Sequence, residues 1–183
     1  GMATNIPPHN LGEVVTAAIA MIDRKLNGGE EMTTDELIQI VPGPDSPTGA
    51  MILGQGSIRN AYNTGRGSII MRATHDVEEG RNDRRSIVLT SIPYQVGKSG
   101  LVEKIAAARD KRIEGVSDIR DESNREGVRV VIELKRDATP EVVLNQLWRH
   151  TPAQSSFPAN MLAIRGGRPE MLGLKDILSA FID

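Results

Sequence analysis

The feature that most constrains this chain is a change of hydrophobic period that happens twice in the same order. SIIMRATHDVE, from Ser68, and RSIVLTSIP, from Arg85, are β-branched runs, and the polar EEGRNDR between them reads as a hairpin. Leu101 to Ile113 then turns to helical spacing. Leu101, Val102, Ile105 and Ala106 point inward, and Glu103, Lys104, Arg109, Asp110 and Lys111 lie mostly outward. VSDIRDES and VRVVIELK follow as two strands joined through Asn124 and Gly127. Pro140 stands near the first turn of a helix that runs to Trp148 and carries Val142, Val143, Leu144 and Leu147. The order β, β, α, β, β, α implies an antiparallel sheet covered on one face by helices, so the fold class is α+β.

Before this region the pattern is helical. Asn10 is a preferred N-cap and Glu13 stands where its carboxylate completes a capping box. Leu11, Val14, Val15, Ala18, Ile19 and Ile22 recur at the spacing of one face, which predicts a buried helix from Leu11 to Lys25. Thr33 with Glu36 opens a second helix that must stop at Pro42, and PGPDSPTG, from Pro42, forbids regular structure. A short helix is expected from Ser57 to Asn63, with Gly65 and Gly67 permitting a tight reversal around Arg66. Phe157 to Ile164 reads as one strand and Leu174 to Ile182 as a last helix. Three regions result: 1–64, an arm and helical segment; 65–155, the α/β layer; and 156–183, a return segment.

Composition removes several classes. No apolar run approaches a membrane span, no signal peptide is evident, and with no cysteine there is neither a disulfide framework nor a thiolate metal site. These features fit a cytoplasmic protein with no membrane partner. Gly1 before Met2 is either a tag remnant or native. Aromatic residues make up only 3% of the chain, too few for stacking platforms that hold single-stranded bases. A net charge of −2 argues against a surface that clings to phosphate everywhere. From Ser46 through His75, however, no acid occurs while Arg59, Arg66 and Arg72 do, so a polyanion contact, if present, is local.

The catalytic motifs that the chain suggests are all incomplete. GKS at Gly97 lacks the earlier glycine of a phosphate loop, since Ile92 holds that position, and Lys98 reads as a surface charge or a backbone-phosphate contact. GRGSII at Gly65 has Ile70 where a dinucleotide fingerprint needs glycine. Asp118, Asp121, Glu122 and Glu126 are interleaved with Arg120 and Arg125, which suits a charge-paired turn better than a calcium loop. His9, His75 and His150 have no metal-ligand spacing, no GxSxG elbow occurs, and Tyr62 and Tyr94 read as packing residues.

The opening arm leaves a choice. Pro7 and Pro8 stiffen the backbone and bias Ile6 toward an extended conformation ahead of the helix at Asn10. Ile6 then either staples that helix or is presented outward as an apolar wedge of the kind that parts stacked base pairs.

MATNIPPHNL at Met2, PGPDSPT at Pro42, AYNTGRGSI at Ala61, SIPYQV at Ser91, IRDES at Ile119, VVIELKRDA at Val130 and LKDIL at Leu174 together resemble the A subunits of bacterial type IIA topoisomerases. The likeness covers essentially the whole chain; IPPHN and RDES are shared with the topoisomerase IV branch, and PGPD, PYQV and LKDIL look more like the gyrase branch. It implies an internal piece of the breakage-reunion subunit, corresponding to the shoulder and the α/β tower, that binds and bends the double-stranded gate DNA. It implies that the catalytic tyrosine lies outside these residues, and neither Tyr62 nor Tyr94 matches its motif. Ile6 of the IPPHN arm, with Pro7, Pro8 and Asn10, takes the wedge role, and Arg59, Arg66, Arg72 and Lys98 become candidate phosphate contacts. The parent implied is an A2B2 assembly, an A-subunit homodimer with gyrase B subunits that bring ATP and magnesium, located in the cytoplasm with the nucleoid.

Overall fold

A computed structural model describes residues 3–183; the choice between tag remnant and native residue for Gly1 lies outside them. Along the chain come α1 (Leu11–Leu26), α2 (Thr34–Ile40), β1 (Met51–Leu53), α3 (Gln55–Thr64), β2 (Arg66–Arg72), β3 (His75–Glu79) and β4 (Arg85–Leu89). They are followed by α4 (Lys98–Arg109), β5 (Val116–Asp121), β6 (Val130–Leu134), α5 (Pro140–His150), β7 (Gln154–Asn160), β8 (Leu162–Arg165), β9 (Arg168–Met171) and α6 (Leu174–Ile182). Strands β1, β2 and β7 form one sheet in the order β1-β2-β7. The fold is α+β, and it divides into two compact units.

One unit comprises Pro47–Met51 and Ile70–Ser155. Its sheet has the order β3-β4-β6-β5, antiparallel throughout, with Ile87 opposite Ile132 and Leu89 opposite Val130 on the two central strands. These four side chains are wholly buried with Leu101 and Ile105 of α4 and Val143 and Leu147 of α5. The other face buries Val88 and Val131 and is otherwise charged. Arg120 stands opposite Val131, Asp118 opposite Glu133, and Arg120 reaches Asp118 at 3.3 Å, Glu122 at 3.2 Å and Glu133 at 2.7 Å. Apolar alternation thus faces the helices, and ion pairs face water. Asp118, Asp121 and Glu122 are charge-paired as expected, but Asp118 and Asp121 lie on β5 rather than in a turn, and Arg125 and Glu126 form no ion pair among the described residues.

Two expectations change in this unit. The run from Ser68 is two strands, because at Ala73 and Thr74 the backbone exchanges partners: Ala73 donates to the Ala153 carbonyl, and Thr74 takes up Thr90 and Ser91. Helix α4 spans Lys98–Arg109 rather than Leu101 to Ile113. It stops early because Arg112 and Ile113 both turn their N–H groups back to the Ala108 carbonyl, which drops the Ile113 side chain into the core.

Among the described residues, the second unit is made of 3–46, Ile52–Ile69 and Ser156–Asp183, so the return segment folds with the helical residues. Ala17, Met32, Leu37, Ile58, Tyr62, Met161, Leu174 and Leu178 are buried together. Thr33 and Glu36 form both halves of the capping box at α2; at α1 the Asn10 side chain accepts from the Glu13 N–H, but Glu13 does not return a bond. Gly65 ends α3 with φ of 81°, and a Cβ at Gly173 would overlap the Tyr62 carbonyl oxygen. Phe157 to Ile164 is broken into β7 and β8 at Met161, whose side chain is buried and whose backbone bonds Gly65 and Leu172 instead of a neighbouring strand.

The largest correction concerns α1. It covers the core with Ala17, flanked by Val14, Ala20 and Met21, whereas Leu11, Val15, Ile19, Ile22 and Leu26 are exposed. Apolar residues occupy both sides of this helix, and periodicity does not say which side meets the core.

Candidate nucleic-acid interface

The arm is fixed on both sides of Ile6. Before it, Asn5 exchanges backbone hydrogen bonds with Asn160 at 2.8 and 2.9 Å, its side-chain amide donates to the Pro158 carbonyl, and the Thr4 hydroxyl donates to the Asn160 carbonyl. After it, Pro7 is buried and the Pro8 carbonyl accepts from the Asp45 N–H at 2.8 Å. The prolines remove φ freedom between these anchors. Ile6 itself is 47% exposed and belongs to neither buried core.

His9 locks the end of the arm. Its Nδ1 lies 2.8 Å from the Pro7 carbonyl, which only accepts, so Nδ1 carries the proton. Nε2 is then the lone pair, and it accepts from the Tyr62 hydroxyl at 2.8 Å. Burial lowers the His9 pKa, against the raising effects of the Pro7 carbonyl, Glu13 and Asp45. Burial, with Glu13, raises the Tyr62 pKa well above its ordinary value, so this phenol stays protonated. Tyr62 supports the arm through this hydrogen bond to His9.

The other candidates are divided between the two units. Pro7 is inside the fold, Pro8 is half-buried, and Asn10 caps α1 while its amide donates to Asp45. Arg59 pairs with Asp35 at 3.1 Å and Lys98 with Asp121 at 3.1 Å, both at exposed positions. Arg72 donates twice to Gln154 Oε1 and lies 4.9 Å over the Trp148 ring, an arrangement that uses its charge and its plane internally. Arg66 is exposed and forms no ion pair among the described residues. Of the three arginines in the acid-free stretch only Arg59 meets an acid, Asp35, which comes from outside it.

Sequence reasoning missed Asn5, Thr4, Asp45 and Asn160 as the arm's anchors; Asn160 lies near the other end of the chain from Asn5, and no local signal links them. Among the described residues no three His, Asp or Glu side chains gather to hold a metal ion.

The sequence model of the family described as DNA gyrase/topoisomerase IV, A subunit, matches residues 1–183. The A subunit of DNA gyrase from Granulibacter bethesdensis is 57% identical over 183 residues, covering 100% of this chain and 19% of that protein. Its counterpart from Synechocystis is 56% identical over 186 residues, covering 99% of this chain and 21% of the relative. A protein of Oryza sativa described as a probable chloroplastic/mitochondrial DNA gyrase A subunit is 54% identical over 186 residues, covering 100% of this chain and 19% of its own length. The chain spans about a fifth of the length of these relatives.

Proposed function

Because the chain belongs to the family of DNA gyrase and topoisomerase IV A subunits, we propose that it forms part of the duplex-binding surface of a type IIA topoisomerase breakage-reunion subunit, with Ile6 as the side chain that enters the gate DNA. The observation that carries this reading is the exposure of Ile6 outside both cores, between anchors at Asn5 and Pro8. A wedge works only if it is stiffer than the stack it parts. Unstacking costs a few kcal/mol per step, and the bend it creates is favourable when the bent duplex gains further protein contacts.

Arg66 offers a free guanidinium for a phosphate, and Arg59 and Lys98 sit in exposed pairs that exchange readily for one. Such contacts set the position of the duplex and carry no sequence information. In this reading the sheet unit is the tower and the helical unit the shoulder. The parent is an ATP-dependent A2B2 enzyme that introduces negative supercoils, its A subunits paired as a homodimer and its B subunits bringing ATP and magnesium. The chain alone does not cleave DNA, since Tyr62 is held as a buried phenol and Tyr94 lies outside the family's nucleophile motif. A second reading, a brace that steadies the cleavage core without gripping DNA, draws support from Arg72, whose Nε and one Nη already donate to Gln154 and whose plane lies over Trp148.

Energy transfer across a doubly labelled gate duplex, bound to the full-length A and B subunits, separates the two. Ile6→Ala abolishes bending and cleavage while the protein stays folded if the arm is a wedge. Unchanged bending assigns the chain to the brace.

A further inference from the structure

Helix α1 carries almost no charge over its first three turns. From Leu11 through Ile22 its only charged residue is Glu13, and it begins on Asn10 and closes on Asp23, Arg24 and Lys25. One side meets the core through Ala17. The other presents Leu11 at 77%, Val15 at 46%, Ile19 at 53%, Ile22 at 38% and Leu26 at 79% exposure. The steps of 4, 4, 3 and 4 residues align these five along one stripe, with Gly12, Thr16 and Ala18 beside it. A surface helix normally turns polar residues to water, and one that is apolar all round is buried on both sides. Val15 to Leu26 follows the spacing of an a/d seam, and the small residues beside it admit a second helix at close range. The stripe is therefore built for a helix.

We propose that in a full-length subunit this stripe is covered by a helix from another part of the same polypeptide, outside these 183 residues. Two observations choose that occupant over a second copy. The curated relatives carry about four-fifths of their length outside the matched region, so their subunits contain ample chain to supply the helix. The stripe is also too small to hold two separate molecules by itself. Sixteen residues make a strip about 24 Å long and about 10 Å wide. That is far short of the roughly 800 Å² per partner of a stable interface. A tethered helix avoids most of the entropy cost of association, so a strip of this size suffices for it. The inference rests on family membership and on α1, and it stands or falls separately from the wedge role of Ile6.

The test uses a full-length subunit containing this sequence and otherwise free of cysteine. Ile19→Cys and Leu26→Cys are made singly, with Arg81→Cys, in the exposed loop after β3, as the open reference. Maleimide labelling at positions 19 and 26 is expected to be at least tenfold slower than at 81. The wild-type protein, prepared with photo-leucine from equal parts of isotopically light and heavy chains, is then irradiated. Crosslinks from Leu11 or Leu26 to residues outside this region, all within one chain, are expected. Labelling at the reference rate, mixed light and heavy products from these leucines, crosslinks to the B subunit, or the absence of same-chain products would each overturn the proposal. Because photo-leucine replaces no residue type, the second measurement stands even if a cysteine variant fails to fold.

Discussion

In the sheet unit, Ile87, Leu89, Val130 and Ile132 are covered by two helices that come from the same unbroken stretch of chain; in the helical unit, the longest helix buries Ala17 and leaves five large apolar side chains in the open. The two units differ in where the covering residues come from. Residues 70–155 close their own core locally, whereas the helical unit draws on three separate segments and still leaves one helix face bare. Local patterning shows which residues are apolar, but only the complete set of partners determines which of them are buried.

The sharpest test of that contrast pairs two isoleucines. Ile132→Ala, at a wholly buried site on a central strand, is expected to cost about 2–5 kcal/mol. Ile19→Ala on the open stripe of α1 is expected to change the stability of this chain by no more than about 0.5 kcal/mol. Urea unfolding measures both, and equal losses would erase the distinction between the units. Gly173→Ala comes next. Its new methyl meets the Tyr62 carbonyl, which as backbone cannot swing aside, and a loss of about 1–3 kcal/mol is expected by the same assay. Thr33→Ala removes the reciprocal cap of α2 and should cost about 1 kcal/mol, with the urea midpoint as readout.

The smallest expected effect is a pH dependence. Burial holds the folded His9 pKa below its ordinary 6.5. Between that lowered value and 6.5 the unfolded ring binds a proton that the folded ring does not. Stability therefore falls as pH drops through this window and levels off below it. Urea midpoints at pH 7.5 and 5.5 should differ less in His9→Gln than in the wild type; an identical difference would show that His9 does not titrate in this way.

Much of the sheet unit was legible because its signals are local. The polar break between two β-branched runs marked the hairpin, Asn124 and Gly127 marked the second one, and Pro140 marked the start of α5. Thr33 and Glu36 marked α2 for the same reason. The break at Ala73 and Thr74 was not legible, since it is made by hydrogen-bond partners at Ala153, Thr90 and Ser91 rather than by a glycine or proline. The site was half legible. IPP announced a stiff arm with an apolar residue ahead of it, but the anchors at Asp45, Tyr62 and Asn160 are distant in sequence. So are the acids that occupy Arg59 and Lys98.

Base unstacking reports most directly whether the clamped arm drives Ile6 into a duplex. A gate duplex carrying 2-aminopurine at successive positions is bound to the full-length A and B subunits, and its fluorescence is compared for wild type, Ile6→Leu and Ile6→Ala. One position should brighten with wild type and with Ile6→Leu, and stay dark with Ile6→Ala. Equal brightening with all three would contradict the wedge and leave the arm as a brace.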